Sequence, residues 1–328
     1  MMSRLKVGII GCGWFGNYHL DILRRIEGVE VAALASSNPE KLKSTGVKVS
    51  GARLYGDHRA MYEAEEHLDA VFVCVPPDSH RDAEILAAQR GIHLYVEKPV
   101  ALSLEKAAAV ANAVAKAGII AAVGYQERYN EALEQVKKYL SGREVGLASG
   151  RWLGDIPGAS WWRRKERSGG QIVEQSTHLF DLLRYFLGEA EAVSSVARKG
   201  IVRDVPGYDL EDYSATTVVF QSGAIATVLT GCYLAEMPDY AGIGLQIACR
   251  DTVVEYDWYQ EVRYFKGNCV ERVSVPGSSH ERAVRMFIEA VKTGNAALVR
   301  SDYADAVKTL ALTLAANESI VSGKTVYL

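Results

Sequence analysis

Residues 5–16 read LKVGIIGCGWFG: an apolar run, then Gly11-Cys12-Gly13-Trp14-Phe15-Gly16, leading into the amphipathic stretch Tyr18–Ile26. A second apolar run, VEVAALA, follows at 29–35. Strand, glycine turn, helix and strand in this order form the context in which G-x-G-x-x-G carries meaning. The glycines let the backbone turn tightly and approach a pyrophosphate, and the helix N-terminus offers free N–H groups and positive potential. Gly11, Gly13, Trp14, Phe15 and Gly16 are therefore candidate cofactor contacts.

The rhythm continues outward from this unit. Apolar runs recur at 69–75 (DAVFVCV), 92–97 (IHLYVE) and 119–125 (IIAAVGY), separated by helical patterns such as Arg81–Arg90, which ends at Gly91 as a helix C-cap does. Short buried strands alternating with helices predict an α/β unit, a Rossmann doubly wound parallel sheet, over residues 1–124. After that the pattern changes. A helix over Asn130–Leu140 and a strand near Leu147–Leu153 precede a loop rich in Gly, Trp and Arg. From Ala192 to Val275 the chain is mostly strand, with hairpin turns at Gln221-Ser222-Gly223 and Lys266-Gly267-Asn268. Helices near His280–Thr293 and Tyr303–Ser322 close the chain. Residues 125–328 are thus expected to form an α+β domain on a large open-faced, mostly antiparallel sheet, its C-terminal helix packing back on the first domain.

Bulk properties agree with a two-domain globular protein. The 328 residues exceed the usual single-core size, and 48% hydrophobic with 23% charged residues is ordinary globular composition. A net charge of −3 argues against nucleic acid or an anionic membrane as partner. The chain runs from Met1-Met2-Ser3 straight into a strand, so no secretory leader is expected, and its longest apolar stretch is broken by Asn112, Lys116 and Gly118. Five scattered cysteines without C-x-x-C spacing fit free thiols in a reducing cytoplasm.

An acidic residue at the end of the second strand would bind the adenosine ribose and favour NAD. Here Ser36 and Ser37 stand at that position, with Lys41 and Lys43 close by in sequence. Two hydroxyls and a cation accept a 2′-phosphate where a carboxylate repels it, so NADP is the preferred expectation, with NAD the alternative.

Residues 168–188, SGGQIVEQSTHLFDLLRYFLG, place Glu174, His178 and Asp181 at spacings of four and three, the spacings of one helix face. On a helical wheel Tyr185 joins them, while Leu179, Leu182, Leu183, Phe186 and Leu187 form an adjacent apolar stripe that anchors the helix. A Glu-x3-His pair can hold a metal, but catalytic zinc asks for a third protein ligand and no second His/Cys motif supplies one, so no metal is expected. Just upstream, Trp161-Trp162-Arg163-Arg164-Lys165 offers aromatic faces for the C–H faces of a sugar and cations for carboxylate or phosphate. Trp162 and Arg163 are candidate substrate contacts; a packed loop is the bland alternative.

Four segments, in order, resemble the Gfo/Idh/MocA oxidoreductase family. They are CVPPDSH at 74–80, HLYVEKPVA at 93–101, GYQERYN at 124–130 and SGGQIVEQSTHLFD at 168–181, and the likeness runs through to the closing KTVYL. The resemblance implies an NAD(P)-dependent dehydrogenase or reductase acting on a secondary alcohol or ketone of a sugar, inositol or related polyol. It also implies a homodimer or homotetramer formed through the C-terminal sheet. By the same resemblance Lys98 holds the reacting oxygen near the nicotinamide, and His178 donates or accepts the proton. Val75, Pro76, His80, Glu97, Lys98 and Gln126 are expected around the cofactor, and Glu174, Asp181 and Arg128 around the substrate. The chain departs from the family pattern at Gln171, where a third glycine is usual, and at Glu174, where aspartate is usual. The longer Glu174 side chain moves its carboxylate outward by about one methylene, which bears on substrate shape.

The implied chemistry is self-consistent. Hydride transfer from an alcohol carbon leaves a hydroxyl proton to be taken up, and the reverse reaction develops an alkoxide that needs a donor. A lysine ammonium stabilises that charge, and carboxylates beside an imidazole set its tautomer. The family also holds a dinucleotide-binding transcriptional regulator, so a non-catalytic sensor is the alternative from another class. A keto-sugar reductase, with a nucleotide-linked substrate, is the alternative enzyme.

Overall fold

The computed structural model describes residues 4–234 and 242–328; Met1–Ser3, on which the expectation about a leader rests, lies outside them. Contacts divide the chain into two compact units, one of residues 1–126 with 280–307 and one of 127–279 with 308–328.

The first unit runs β1 (Leu5–Ile10), α1 (Trp14–Leu23), β2 (Val29–Ala35), α2 (Pro39–Gly46), β3 (Arg53–Tyr55), α3 (His58–Ala64), β4 (Ala70–Val73), α4 (Ala83–Gln89), β5 (His93–Val96), α5 (Leu104–Ala117) and β6 (Ala121–Val123). Its strands form one parallel sheet in the order β3-β2-β1-β4-β5-β6, the doubly wound arrangement. Strand β1 has partners on both sides, β2 and β4, and reads as a continuous apolar run because both of its faces are covered. Strand β3 carries little apolar signal: Arg53 and Leu54 are exposed, and it pairs only through Ala33–Ala35.

The second unit carries α6 (Glu131–Leu140), β7 (Val145–Gly154), α7 (Lys165–Ser168), α8 (Gln171–Glu174), α9 (Thr177–Leu187), β8 (Ala190–Arg198), β9 (Tyr213–Phe220), β10 (Ile225–Cys232), β11 (Ile243–Cys249), β12 (Val253–Asp257), β13 (Glu261–Lys266) and β14 (Cys269–Ser274). The chain then continues through α10 (Ser279–Thr293), α11 (Tyr303–Ser322) and β15 (Val326–Tyr327). Nine strands form a sheet in the order β14-β13-β12-β11-β7-β10-β9-β8-β15, antiparallel except for the β7–β10 pair. Strands β9 and β10 alternate exposed and buried residues along their length, so one face meets the core and the other is open. The buried face packs against Leu133 and Val136 of α6, Leu179, Leu182 and Leu183 of α9, and Leu312 and Ala316 of α11. Helix α6 starts where the sequence places it, because the Asn130 side chain accepts from the backbone N–H groups of Ala132 and Leu133.

A single boundary between residues 124 and 125 does not describe this division. Residues 280–307 belong to the first unit, where Val284, Phe287 and Ile288 of α10 join the core around Leu20, Val7 and Phe72. Helix α10 and the first turn of α11, residues 303–307, lie in the first unit, whereas the apolar residues of α11 at Leu312, Ala315 and Ala316 are in the second unit's core. Sequence distance hid this, since an amphipathic helix does not announce which core its apolar stripe will cover.

Candidate active site

In the first unit, the glycine loop leaves β1 and opens α1. Gly11 has φ of 103°, and a Cβ there would sit 2.4 Å from the carbonyl oxygen of Cys74. A Cβ on Gly16 would lie 1.8 Å from the Gly11 oxygen, so that glycine lets the helix lie against the turn. Gly13 differs: a Cβ there meets nothing within 4 Å. It is also the N-cap of α1 and has no side-chain capping bond. Open space over an uncapped first turn is what a pyrophosphate needs, so the loop fits a dinucleotide. Trp14 is 72% exposed and stacks on Tyr18, ring centroids 5.5 Å apart. Val75 abuts Gly11, with its Cγ1 2.8 Å from the position of a Gly11 Cβ.

At the end of β2, Ser36 is half-buried and its Oγ accepts from the Asn38 N–H at 3.3 Å. Asn17, on α1, donates to the Gly13 carbonyl at 2.9 Å and receives Lys48 Nζ at 2.7 Å. Lys48 was not legible as a loop residue in the sequence, because it follows α2 and reaches back across 31 positions.

Two other candidates in this unit are turned to internal partners. Glu97 Oε1 lies 2.7 Å from His19 Nε2, and its carboxylate packs over Gly124. Burial pushes Glu97 up, but the His19 hydrogen bond and the charges of His19, His280 and Lys98 outweigh it and hold it below the usual carboxylate range. His80 is buried with its Nδ1 bonded to Glu84, which is itself buried on α4. Lys98 immediately follows Glu97 beyond the end of β5 and is 8% exposed. Gln126, expected at the cofactor, is buried in the turn Gln126–Tyr129.

In the second unit, Glu174 and His178 do not share one helix. Helix α8 ends at Glu174, and the chain breaks through Gln175 and Ser176, whose N–H groups both bond to the Gln171 carbonyl. Helix α9 then starts at Thr177. The expectation of one continuous helix face is therefore corrected. The Ser176 Oγ, which lies 3.4 Å from the same Gln171 carbonyl and receives the Thr230 hydroxyl at 2.8 Å, is the local competitor that ends α8. Both Glu174 and His178 are nevertheless buried, and the Cys232 thiol, bonded to Gln175 Oε1, is pushed up by its burial and by the Glu174 charge. Gln171 begins α8 with no left-handed backbone, so this position does not require glycine.

The His178 ring lies against two tryptophans. Trp152 stacks on it with centroids 5.7 Å apart and planes 16° apart, and Trp258 meets it edge-on at 6.0 Å. Asp181 is turned elsewhere: it takes a bidentate pair from Arg128 at 2.7 and 2.8 Å and the Thr309 hydroxyl at 3.0 Å. Arg128 also lies over the Tyr185 ring at 5.3 Å. The buried Arg128 and Asp181, with the half-buried Tyr185, thus brace α9.

The tryptophan–arginine loop is likewise internally bonded. Trp161 and Trp162 stack at 5.9 Å, and Arg163 donates to the carbonyls of Pro157 and Gly158. Arg164 pairs with Glu166 and Asp209, and Lys165 with Glu211. The basic run that suggested an acidic ligand is matched by acidic partners and loop carbonyls.

A glycine loop fit for a dinucleotide at the head of a doubly wound parallel sheet, and a second unit built on a broad, mostly antiparallel sheet, define the class: a two-domain protein with a Rossmann-type first domain. Residues 5–125 match the oxidoreductase family with an NAD-binding Rossmann fold, and residues 143–250 match the GFO/IDH/MocA C-terminal domain. The chain belongs to the Gfo/Idh/MocA family. It is 31% identical to D-apiose dehydrogenase of Paraburkholderia graminis over 234 residues, which cover 69% of this chain and 60% of that protein. It is 28% identical to scyllo-inositol 2-dehydrogenase (NAD(+)) of Bacillus subtilis over 233 residues, 70% of this chain and 67% of that one. The fold matches that of levoglucosan dehydrogenase, solved with NADH and L-sorbose, at a TM-score of 0.86 and 22% identity over 99% of each chain.

Proposed function

We propose that the chain is an NAD(P)-dependent dehydrogenase or reductase acting on a secondary alcohol or ketone of a sugar, inositol or related polyol. The observation that carries this reading is the open space at Gly13 over the uncapped start of α1, in a unit that also holds Lys98 just beyond β5. The names of the relatives, dehydrogenases of apiose and of inositol, support the substrate class. Gly11, Gly13, Trp14, Phe15 and Gly16 would hold the dinucleotide, with Val75 and Pro76 at its nicotinamide end. The nicotinamide, when bound, supplies the hydride acceptor or donor. Lys98 holds the substrate oxygen and stabilises the charge that develops on it. His178 takes the hydroxyl proton in oxidation and returns it in reduction, and Glu174 binds a neighbouring hydroxyl.

Cofactor oxidation or reduction is to be followed over a panel of sugars, inositols and keto-sugars with NAD(H) and NADP(H). Lys98→Ala should keep cofactor binding and lose turnover by roughly 100-fold or more; near-wild-type turnover in that variant would overturn the mechanism. Tight cofactor binding with no turnover on any substrate would favour the sensor instead.

For the cofactor, the reading is NADP over NAD. Ser36 replaces the acidic residue at the end of β2, and Lys48 is tied to Asn17 beside the glycine loop. Lys48→Ala is expected to weaken NADPH binding in titration while leaving NADH binding unchanged. For assembly, the reading is a homodimer or homotetramer through the open face of the nine-stranded sheet, where Leu147 is 61%, Val196 62% and Leu229 49% exposed. Leu229→Glu should shift the species seen by light scattering toward the monomer. Among the described residues no helix is long and apolar enough to cross a membrane, and a reducing cytoplasm is the proposed location.

A further inference from the structure

His178 is the second residue of α9, one residue past the break at Gln175–Ser176. Two tryptophan rings flank it. Gly150 and Trp152 lie two apart on β7 and share the face covered by α9. At Gly150 there is no side chain, and a Cβ there would stand 3.2 Å from Leu179 Cδ1. The helix therefore comes down close to the sheet at Leu179, and the preceding residue, His178, is laid against the next side chain on the same face, Trp152.

Trp152 is itself rigidly placed. Its strand is paired on both sides, with Trp152 opposite Thr230 of β10 and Ile243 of β11. Trp258 closes the arrangement, edge-on to both rings, and is 1% exposed. Its N–H bonds to the Ile243 carbonyl, and Tyr256 packs beside it with centroids 5.6 Å apart. A stack with planes 16° apart restricts the rotation about the ring's second torsion that an imidazole otherwise keeps.

We propose that Trp152 is a positioning residue for the proton exchange at His178: its indole face sets the plane of the imidazole, with Trp258 as the backing wall. The proposal rests on the reading of His178 given above. Loss of the stack widens the range of ring orientations, so fewer of them aim a nitrogen at the reacting hydroxyl; kcat falls and ground-state binding stays largely intact.

The test compares Trp152→Leu, Trp152→Phe and His178→Gln, with steady-state kinetics on whichever substrate the panel identifies and with ring-proton NMR of histidine-labelled protein. Trp152→Leu should lower kcat by about 10- to 100-fold with KM within about threefold of wild type, and Trp152→Phe, which keeps a stacking face, should recover most of it. In wild-type protein the His178 ring protons, assigned by their loss in His178→Gln, should lie upfield of ordinary histidine positions through the indole ring current. That measurement stands even if Trp152→Leu fails to fold. Ring protons at ordinary positions in the wild type would overturn the proposal, as would a Trp152→Leu enzyme with unchanged kcat while His178→Gln is inactive. An active His178→Gln enzyme would instead overturn the role of His178 itself.

Discussion

Glu127 gives a prediction whose size follows from the structure. It sits in the turn Gln126–Tyr129, fully enclosed, with its carboxylate accepting from the Tyr256 hydroxyl and from Asn130 Nδ2. Burial pushes its pKa from 4.5 up to about 7, against the hydrogen bonds from Tyr256, Asn130, Ser279 and Tyr259 that favour the charged form. Between these two pH values the folded chain holds a proton that the unfolded chain has released. Stability is therefore greatest when the group is protonated, falls as pH rises from about 4.5 through 7, and levels off above that. A pKa moved from 4.5 to about 7, at about 1.4 kcal/mol for each pH unit, makes about 3 kcal/mol in all, most of it between pH 5 and pH 8. Glu127→Gln has no proton to lose. Its amide leaves one pH-independent mismatch at the Oε1 position, a constant offset that does not alter the slope. Urea unfolding of wild type and Glu127→Gln at pH 5, 6, 7 and 8 reads the difference. Tryptophan fluorescence suits it, since Trp152, Trp161, Trp162 and Trp258 all lie in the unit that contains Glu127. The variant should gain on wild type by about 2–3 kcal/mol across that range. Parallel pH profiles for the two proteins would show that the carboxyl titrates at its ordinary pKa, and the reasoning from burial would fail.

Three further predictions follow from single contacts. Arg128→Met leaves the buried Asp181 carboxylate without its bidentate partner and should lower stability by roughly 3–5 kcal/mol, read as a fall in the urea midpoint. Gly13→Ala should lose only the small stability that alanine costs at an N-cap and bind dinucleotide more weakly in calorimetric titration, whereas Gly16→Ala, which drives a Cβ into the Gly11 carbonyl, should lower the melting temperature far more even without cofactor. His280 is held down to about 4 by burial, so it stays neutral while the unfolded chain protonates near 6.5. Stability that is intact above pH 6.5 should be lost as pH falls toward 4, and His280→Gln should flatten that acid limb in thermal denaturation followed by circular dichroism.

Much of the fold was legible in local order. The glycine loop, the apolar strands on either side of it and the hairpin turns at Gly223 and Gly267 are short-range features, and they recur at their expected places. Strand β3 escaped because its Arg53 and Leu54 face outward on a short edge, so no apolar run marked it. The break between α8 and α9 escaped because the i, i+4 spacing of Glu174 and His178 fits a continuous helix equally well. Only the bonds gathered on the Gln171 carbonyl reveal the interruption.

The candidate site divides along the same line. Strand, turn and helix order singled out the glycine loop and helical spacing singled out His178, while the resemblance of HLYVEKPVA to the family singled out Lys98; each is a local signal. Which side chains hold them is long-range. His19 reaches Glu97 across 78 positions, Arg128 reaches Asp181 across 53, and Trp152 and Trp258 meet His178 from β7 and from the turn after β12. The sequence by itself determined that a dinucleotide-type loop, a lysine and a histidine would be present. Tertiary structure alone decided that Glu97, His80, Asp181 and Arg163 would be engaged by internal partners and that two indoles would frame the histidine. The physical reason is that a hydrogen-bond partner or a stacking face is chosen by packing across the sheet, and packing carries no signature in the order of the chain.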